Sequence, residues 1–504
     1  MPLLQRSERS FLKAVSAVAY ANPFSSELPG YERSALGSAY VPEHAGWSFD
    51  VEQPDRPRAN HWRIQERLAA LLERLRNNLA GGAKASAGEV ALYEDGVLFF
   101  LYYRHYDALR RAGVDEPEQP ARWRFYREYR RDWQRYLDLP GAVFPGGHTP
   151  EHTFACYYQV LRAFHQIHRH IIGNSPPAAR LRAAVWQSIF THDLRRYQRS
   201  LYRRMGDFAT LITGPSGTGK ELVARAIALS RYVPFGASRL TFAAEHDNTF
   251  HAINIAAMPA TLVESELFGH RRGSFTGAIA DRRGRLDVCP ALGAVFLDEI
   301  GDLDPEIQVK LLRVIETRAF HPIGESTEHR FEGKLIAATN RDLPTAIASG
   351  AFREDLYYRL CSDLIETPPL NRQIKESPGV LAELVLFMTR RVAGEDCGEL
   401  AGEAEEWIRT NLGPDYPWPG NYRELEQCIR NLLIRRDYRP ARPPAAPDDP
   451  FAAARQGRLT ASELLDHYCA LVYTQVGSYQ ETARRLGLDR RTVKTRVERR
   501  RNSA

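Results

Sequence analysis

The sequence predicts a multidomain chain organised around an α/β unit, a parallel sheet flanked by helices. Before it stands a mixed α+β region and after it an all-α tail. Three observations carry this reading. Thr210–Thr213 is a short apolar run that passes through three glycines, in LITGPSGTGKE (Leu211–Glu221), into an amphipathic stretch, Glu221–Ser230. Three more apolar runs, Ala252–Ile255, Ala294–Leu297 and Lys334–Ala338, are each followed by a polar cluster or a helical pattern. Strands alternating with helices imply a parallel sheet. The last segment, 480–504, carries nine Lys/Arg against three Asp/Glu on two short helical patterns around Gly487.

A chain of 504 residues with 43% hydrophobic content has room for two to four domains with buried cores. Its net charge of +6 hints at a polyanionic partner. Six cysteines, at 156, 289, 361, 397, 428 and 469, form no close pairs. This argues against a disulfide framework or zinc cluster and suits a reducing, cytoplasmic compartment. No run of about 18 apolar residues exists, so no membrane span is expected.

Taken in order, residues 1–184 are rich in Arg, Tyr, Trp and His. Phe11–Ala21 reads as an amphipathic first helix, and Trp62–Leu79 as a helix with Leu68, Leu71, Leu72 and Leu75 on one stripe. Gly81–Gly88 reads as a linker. Val90–Tyr103, broken by Glu94-Asp95-Gly96, reads as a β-hairpin. Helices are expected at Trp123–Leu137 and Thr153–Ile172. His165, His168 and His170 raise a metal hypothesis, but no carboxylate or cysteine lies close by in sequence.

The glycine loop has the spacing of a phosphate loop. Gly214, Gly217 and Gly219 let backbone N–H groups turn inward, and the following helix N-terminus adds positive dipole. Lys220 would reach the outer phosphates; Glu221 stands where Ser or Thr is usual. In parallel sheets chemistry gathers at the carboxyl ends of strands. There Asp298 would hold Mg²⁺ and Glu299 would orient or deprotonate a water. Thr339 and Asn340 end another strand.

ESELFGHRRGSFTGA (Glu264–Ala278), LDEIGDL (Leu297–Leu303), AATNRDL (Ala337–Leu343), FREDLYYRL (Phe352–Leu360) and WPGNYREL (Trp418–Leu425) together resemble the AAA+ domain of bacterial enhancer-binding proteins, the activators of sigma-54 RNA polymerase. The resemblance spans roughly Val185–Arg435. It implies that Gly214, Pro215, Ser216, Gly217, Thr218, Gly219, Lys220 and Glu221 bind ATP, with Asp298 on Mg²⁺ and Glu299 activating water. Asn254 would hold Glu299 in check. Thr339 and Asn340 would form sensor I and Arg423 sensor II. Arg353 and Arg359 would be fingers donated to a neighbour's site, which requires an oligomer, by analogy a hexameric ring. The loop Gly273, Ser274, Phe275, Thr276, Gly277, Ala278 would engage sigma-54. An aromatic on a glycine-rich tip is also poor core and suits a partner contact.

Three features depart from the family pattern. Ser274 replaces the usual Ala. Val233–Asn248 looks inserted, as a surface excursion. Residues 1–184 match no receiver or recognisable sensor. Helices at Val380–Val392, Glu403–Asn411 and Asn421–Ile434 would form the lid, with Asn421 as an N-cap. The implied domains are thus 1–184, 185–370, a lid at 371–436, a Pro-rich linker at 437–457 and a helix-turn-helix at 458–504. The last resembles a Fis-type DNA-binding segment, with helices at Leu459–Val472, Ser478–Leu486 and Asp489–Val497. Arg490, Arg491, Thr492, Lys494 and Thr495 would meet double-stranded DNA. Two other readings stand beside this one: a remodelling ATPase outside transcription, and a DNA-binding regulator that uses ATP only as an assembly switch.

Overall fold

A computed structural model describes residues 3–42, 59–115, 122–244, 249–394, 397–440 and 459–503. The chain divides into two compact units, Met1–Arg436 and Asp437–Ala504.

The first unit contains a five-stranded parallel sheet. Its strands are β1 (Thr210–Thr213), β2 (Phe250–Asn254), β3 (Ala294–Asp298), β4 (Lys334–Thr339) and β5 (Asp363–Glu366), in the order β5-β1-β4-β3-β2. Thr213 pairs with both Thr339 and Glu366, and Asn254 with Asp298. The register therefore brings Asn254, Asp298 and Thr339 to the carboxyl ends of the strands, on one side of the sheet. β3 and β4 are buried almost throughout, as near-continuous apolar strands covered on both faces should be.

Among its described residues the region before the sheet holds helices joined by turns and no strand, which corrects the expected α+β character. Its helices include α1 (Arg6–Tyr20), α2 (Ala59–Ala80), α3 (Ala87–Arg104), α4 (Tyr126–Leu137), α5 (Pro150–His170) and α6 (Pro176–Phe190). The predicted hairpin at Val90–Tyr103 is the body of α3. Ser86 and Glu89 form a reciprocal capping box that starts this helix. Asp95-Gly96, read as a turn, lies mid-helix. A Cβ on Gly96 would meet Leu12 at 3.0 Å and Leu72 at 3.4 Å, so the glycine serves close packing against α1 and α2. Asp95 is buried and accepts from Ser16 at 2.8 Å and Tyr20 at 2.9 Å, and it pairs with Arg195.

The boundary expected at residue 184 falls inside α6. One apolar cluster joins Phe24, Ala163, Ile167 and Trp186 to Ile212, Val223, Phe296 and Ile336. The helical region and the sheet thus share a core. His168 packs its ring against Phe24 and Phe164 in that core. Among the described residues no group of three or more His, Cys, Asp or Glu is arranged to hold a metal.

The inserted segment is not a surface excursion in its described part. Phe235-Gly236 and Thr241-Phe242 pair as a short antiparallel ribbon. Phe235 is 6% exposed, with ring centroids 4.7 Å from both Tyr126 and Phe154. Phe242 lies edge-on to Trp123 and tilted against Tyr158. Burial of this aromatic area outweighs the cost of ordering the ribbon. Residues 245–248 of the predicted insertion lie outside the described residues.

Candidate nucleotide-binding site

Lys220 opens helix α7 (Lys220–Ala228) directly after the glycine loop. Gly214, Gly217 and Gly219 all adopt positive φ, at 143°, 76° and 88°. The first two also admit close neighbours. A Cβ on Gly214 would lie 2.2 Å from the Thr367 hydroxyl, and one on Gly217 would lie 2.3 Å from the Gly420 carbonyl. Lys220 is 7% exposed and its ammonium donates to the carbonyls of Gly214 (3.1 Å) and Pro215 (3.3 Å). Thr218 is buried, its hydroxyl 2.7 Å from that of Thr367. Glu221 is exposed and pairs with Arg225 at 3.1 Å, one turn along.

Electrostatics joins the strand end to the loop. Burial pushes the Lys220 ammonium pKa down, and Glu299 and Asp298 pull it back up, against Arg423. Burial raises the Asp298 carboxyl, as does the charge of Glu299; Lys220 and the Glu299 N–H oppose the rise. Lys220 and Asp298 thus each feel the other and Glu299, as groups around a phosphate site would. Carboxylate oxygens beside a phosphate cradle are the ligand type that a hard divalent cation such as Mg²⁺ takes together with phosphate oxygens. Asp298, at the carboxyl end of β3, could hold such a cation, and the N–H groups of the glycine loop could take the phosphates.

Glu299 is left-handed, at φ 56° and ψ 49°, an uncommon conformation outside glycine. Its carboxylate accepts from the Asn340 backbone N–H at 3.1 Å. The expected restraint by Asn254 is not the contact found. The Asn254 side chain caps the Ala257 N–H at 3.2 Å, although its backbone lies in register with Asp298. Thr339 is fully buried, and its hydroxyl accepts from Arg341 N–H at 3.0 Å. Arg353 and Arg359 are exposed and pair with Asp355 (2.6 Å) and Glu316 (3.0 Å) of the same chain. Both guanidinium groups are open to solvent on one side.

The helices expected to form the lid are α8 (Val380–Ala393), α9 (Gly398–Asn411) and α10 (Asn421–Arg435). Asn421 is not the N-cap; that position belongs to Gly420, and the Asn421 side chain has other partners. Its amide oxygen accepts from Leu370 N–H at 2.9 Å and its NH₂ donates to the Ser216 carbonyl at 2.9 Å. This contact of lid with phosphate loop was missed in sequence, where Asn before a helix reads as a cap. The nearest signal is that Asn421 follows Trp418-Pro-Gly.

The loop Gly273–Ala278 has a closed neck. Gly273 N–H donates to Ala278 C=O at 2.8 Å, with positive φ at Gly273 and Gly277. Thr276 is exposed at the tip. Phe275 is half-buried, its ring 4.9 Å from that of His270. Ser274 lies against Gly324 and its hydroxyl is buried with no hydrogen-bond partner.

In the second unit, helices α11 (Ala461–Val476), α12 (Tyr479–Leu486) and α13 (Arg490–Ser503) close around Cys469, Ala483, Val493 and Val497. Gly487 makes the turn at φ 63°. Arg490, Arg491, Thr492, Lys494 and Thr495 are all exposed on α13. Thr495 bonds back to the Arg491 carbonyl at 3.0 Å, and Lys494 lies 3.7 Å from Glu498. Arg496 instead donates to Asp466 at 2.6 Å and ties α13 to α11. The linker expected at 437–457 lies outside the described residues from 441 on.

Among the described residues no helix is long and apolar enough to cross a membrane. Residues 191–366 match the family described as the Sigma-54 interaction domain. The chain is 37% identical over 311 residues to the DNA-binding transcriptional regulator NtrC of Rhizobium meliloti (strain 1021), covering 59% of this chain and 58% of that protein. It is 42% identical over 224 residues to the Nif-specific regulatory protein of Azotobacter vinelandii, covering 44% and 39%. To the formate hydrogenlyase transcriptional activator FhlA of Escherichia coli (strain K12) it is 38% identical over 305 residues, covering 58% and 41%. The chain spans about half the length of these curated relatives. Residues 191–366 of this chain, which hold all five strands of the parallel sheet, are thus similar to the sigma-54 interaction domain.

Proposed function

We propose that this chain is a sigma-54-dependent transcriptional activator that hydrolyses ATP in a ring oligomer and acts from upstream DNA. The observation that carries the reading is the convergence of Lys220, Asp298, Glu299 and Arg423 beside the glycine cradle, in a chain that also presents the Gly273–Ala278 loop on a closed neck. In this reading the loop N–H groups and Lys220 bind the phosphates, and Arg423 reaches the nucleotide from the lid. Glu299, held by Asn340 N–H, orients the attacking water and accepts its proton. Asp298 holds Mg²⁺, which supplies charge neutralisation on the phosphates.

The exposed Arg353 and Arg359 complete a neighbour's site, because a guanidinium paired only with an exposed acid exchanges partners at little cost. A head-to-tail contact of this kind gives a ring when its rotation closes, and the ring is the form this reading takes. The α13 residues Arg490, Arg491, Thr492, Lys494 and Thr495 bind double-stranded DNA. Residues 1–184 are the regulatory region. A soluble bacterial, cytoplasmic setting follows from this activity. The test is transcription from a sigma-54 promoter with purified polymerase: the chain activates with ATP, and Phe275→Ala abolishes activation while ATP turnover continues. Full activation by Phe275→Ala, or none by the unaltered chain, overturns the reading.

A further inference from the structure

We infer that Asn421 is a positioning residue that latches the lid onto the back of the phosphate loop and so sets how long a nucleotide stays bound. The inference rests on the nucleotide-binding reading above. Asn421 is 3% exposed and held at φ 51°. Its amide bridges two backbone groups far apart in sequence, Leu370 N–H and the Ser216 carbonyl, both at 2.9 Å. The next residue repeats the contact: Tyr422 N–H donates to the Gly217 carbonyl at 3.1 Å. Between these two bonds Gly420 lies so close that only glycine fits at 217. Two successive carbonyls of the phosphate loop are thus engaged by the lid.

The consequence follows from peptide geometry. In a planar trans peptide the C=O and the following N–H point in opposite directions. Tying back the carbonyls of Ser216 and Gly217 therefore aims the N–H groups of Gly217 and Thr218 away from the lid contact. Converging N–H groups of this kind are what an anion needs. Asn421 touches no phosphate; it fixes the planes whose other edge does. The Thr218–Thr367 hydroxyl contact anchors the same loop to the segment that carries Leu370. Lid, loop and the segment after β5 are therefore joined at one residue.

The decisive variant is Asn421→Asp. An aspartate still accepts from Leu370 N–H but cannot donate to Ser216 C=O, and it sets a carboxylate oxygen against that carbonyl. Release of a fluorescent ADP analogue from the full chain is measured by stopped flow. The expected result is release about five- to tenfold faster, the scale of one net hydrogen bond, with KM for ATP raised by a larger factor than any change in kcat. Asn421→Ala should release at least as fast. Release from Asn421→Asp at the unaltered rate would reduce Asn421 to a cap for Leu370 and overturn the proposal.

Should that variant not fold, hydrogen exchange on the unaltered chain decides. ADP is expected to protect the Leu370 and Tyr422 amides together with those of Gly217 and Thr218. Lid amides indifferent to ADP contradict the latch. A chain that binds no ADP at all refutes the nucleotide-binding reading instead, so the two failures are distinct.

Discussion

Replacing Phe235 by Ala separates a structural ribbon from a surface loop. The Phe235 ring is 6% exposed and lies against Tyr126, Phe154 and Phe242, with centroids at 4.7, 4.7 and 5.0 Å. A phenylalanine so placed buries roughly 150–200 Å², which at about 25 cal/mol per Å² is about 4–5 kcal/mol. That agrees with the ~3–5 kcal/mol found for Phe→Ala in packed cores. Arg239, exposed between the two ribbon strands, is the control, with an expected change within about 0.5 kcal/mol. Urea unfolding of the full chain, followed by far-UV circular dichroism and compared at a common slope, reads the difference. Because helices and sheet share a core, tertiary signal and ATP turnover should be lost over the same urea range as the helical signal. A Phe235→Ala midpoint no lower than that of Arg239→Ala would refute the packing argument.

Other groups make separate predictions. Burial raises the Glu94 carboxyl pKa from 4.5 to about 7, partly offset by the Gly146 N–H that donates to it at 2.9 Å. The folded state thus holds this proton more tightly than the unfolded chain, so stability should fall as pH rises from about 4.5 to 7 and level off above. Glu94→Gln should flatten that part of the stability–pH curve, and an unchanged curve would contradict the assignment. For the tail, Arg490→Ala with Arg491→Ala should weaken DNA binding and lower the salt slope by about one to two, with the unfolding midpoint unchanged. Arg496→Ala should instead lower the midpoint, since Arg496 joins α13 to Asp466; the opposite pattern would exchange their roles.

The features legible in sequence were those whose chemistry is local. Lys220 after its glycines, Asp298–Glu299 ending an apolar strand and the basic α13 all announce themselves within ten residues. The misread features depend on distant partners. Asp95-Gly96 looks like a turn until Leu12 and Leu72 are seen pressing on Gly96. The capping box Ser86–Glu89 was the local signal that outweighed it. Phe235 looked exposed because its partners Tyr126 and Phe154 lie some hundred residues earlier. Asn421 resembles a cap until Ser216, on another part of the fold, is found as its acceptor.

The central claim is that each site is completed by a neighbouring copy. Glu299→Gln removes the water-activating base, and Arg359→Ala removes the donated charge, so each protein alone should be nearly inactive as an ATPase. Mixing them in equal amounts creates some interfaces with an intact Glu299 on one side and an intact Arg359 on the other. For random assembly across a head-to-tail interface the account predicts recovery of roughly a quarter of the unaltered ATP turnover. A mixture as inactive as its two components would contradict it.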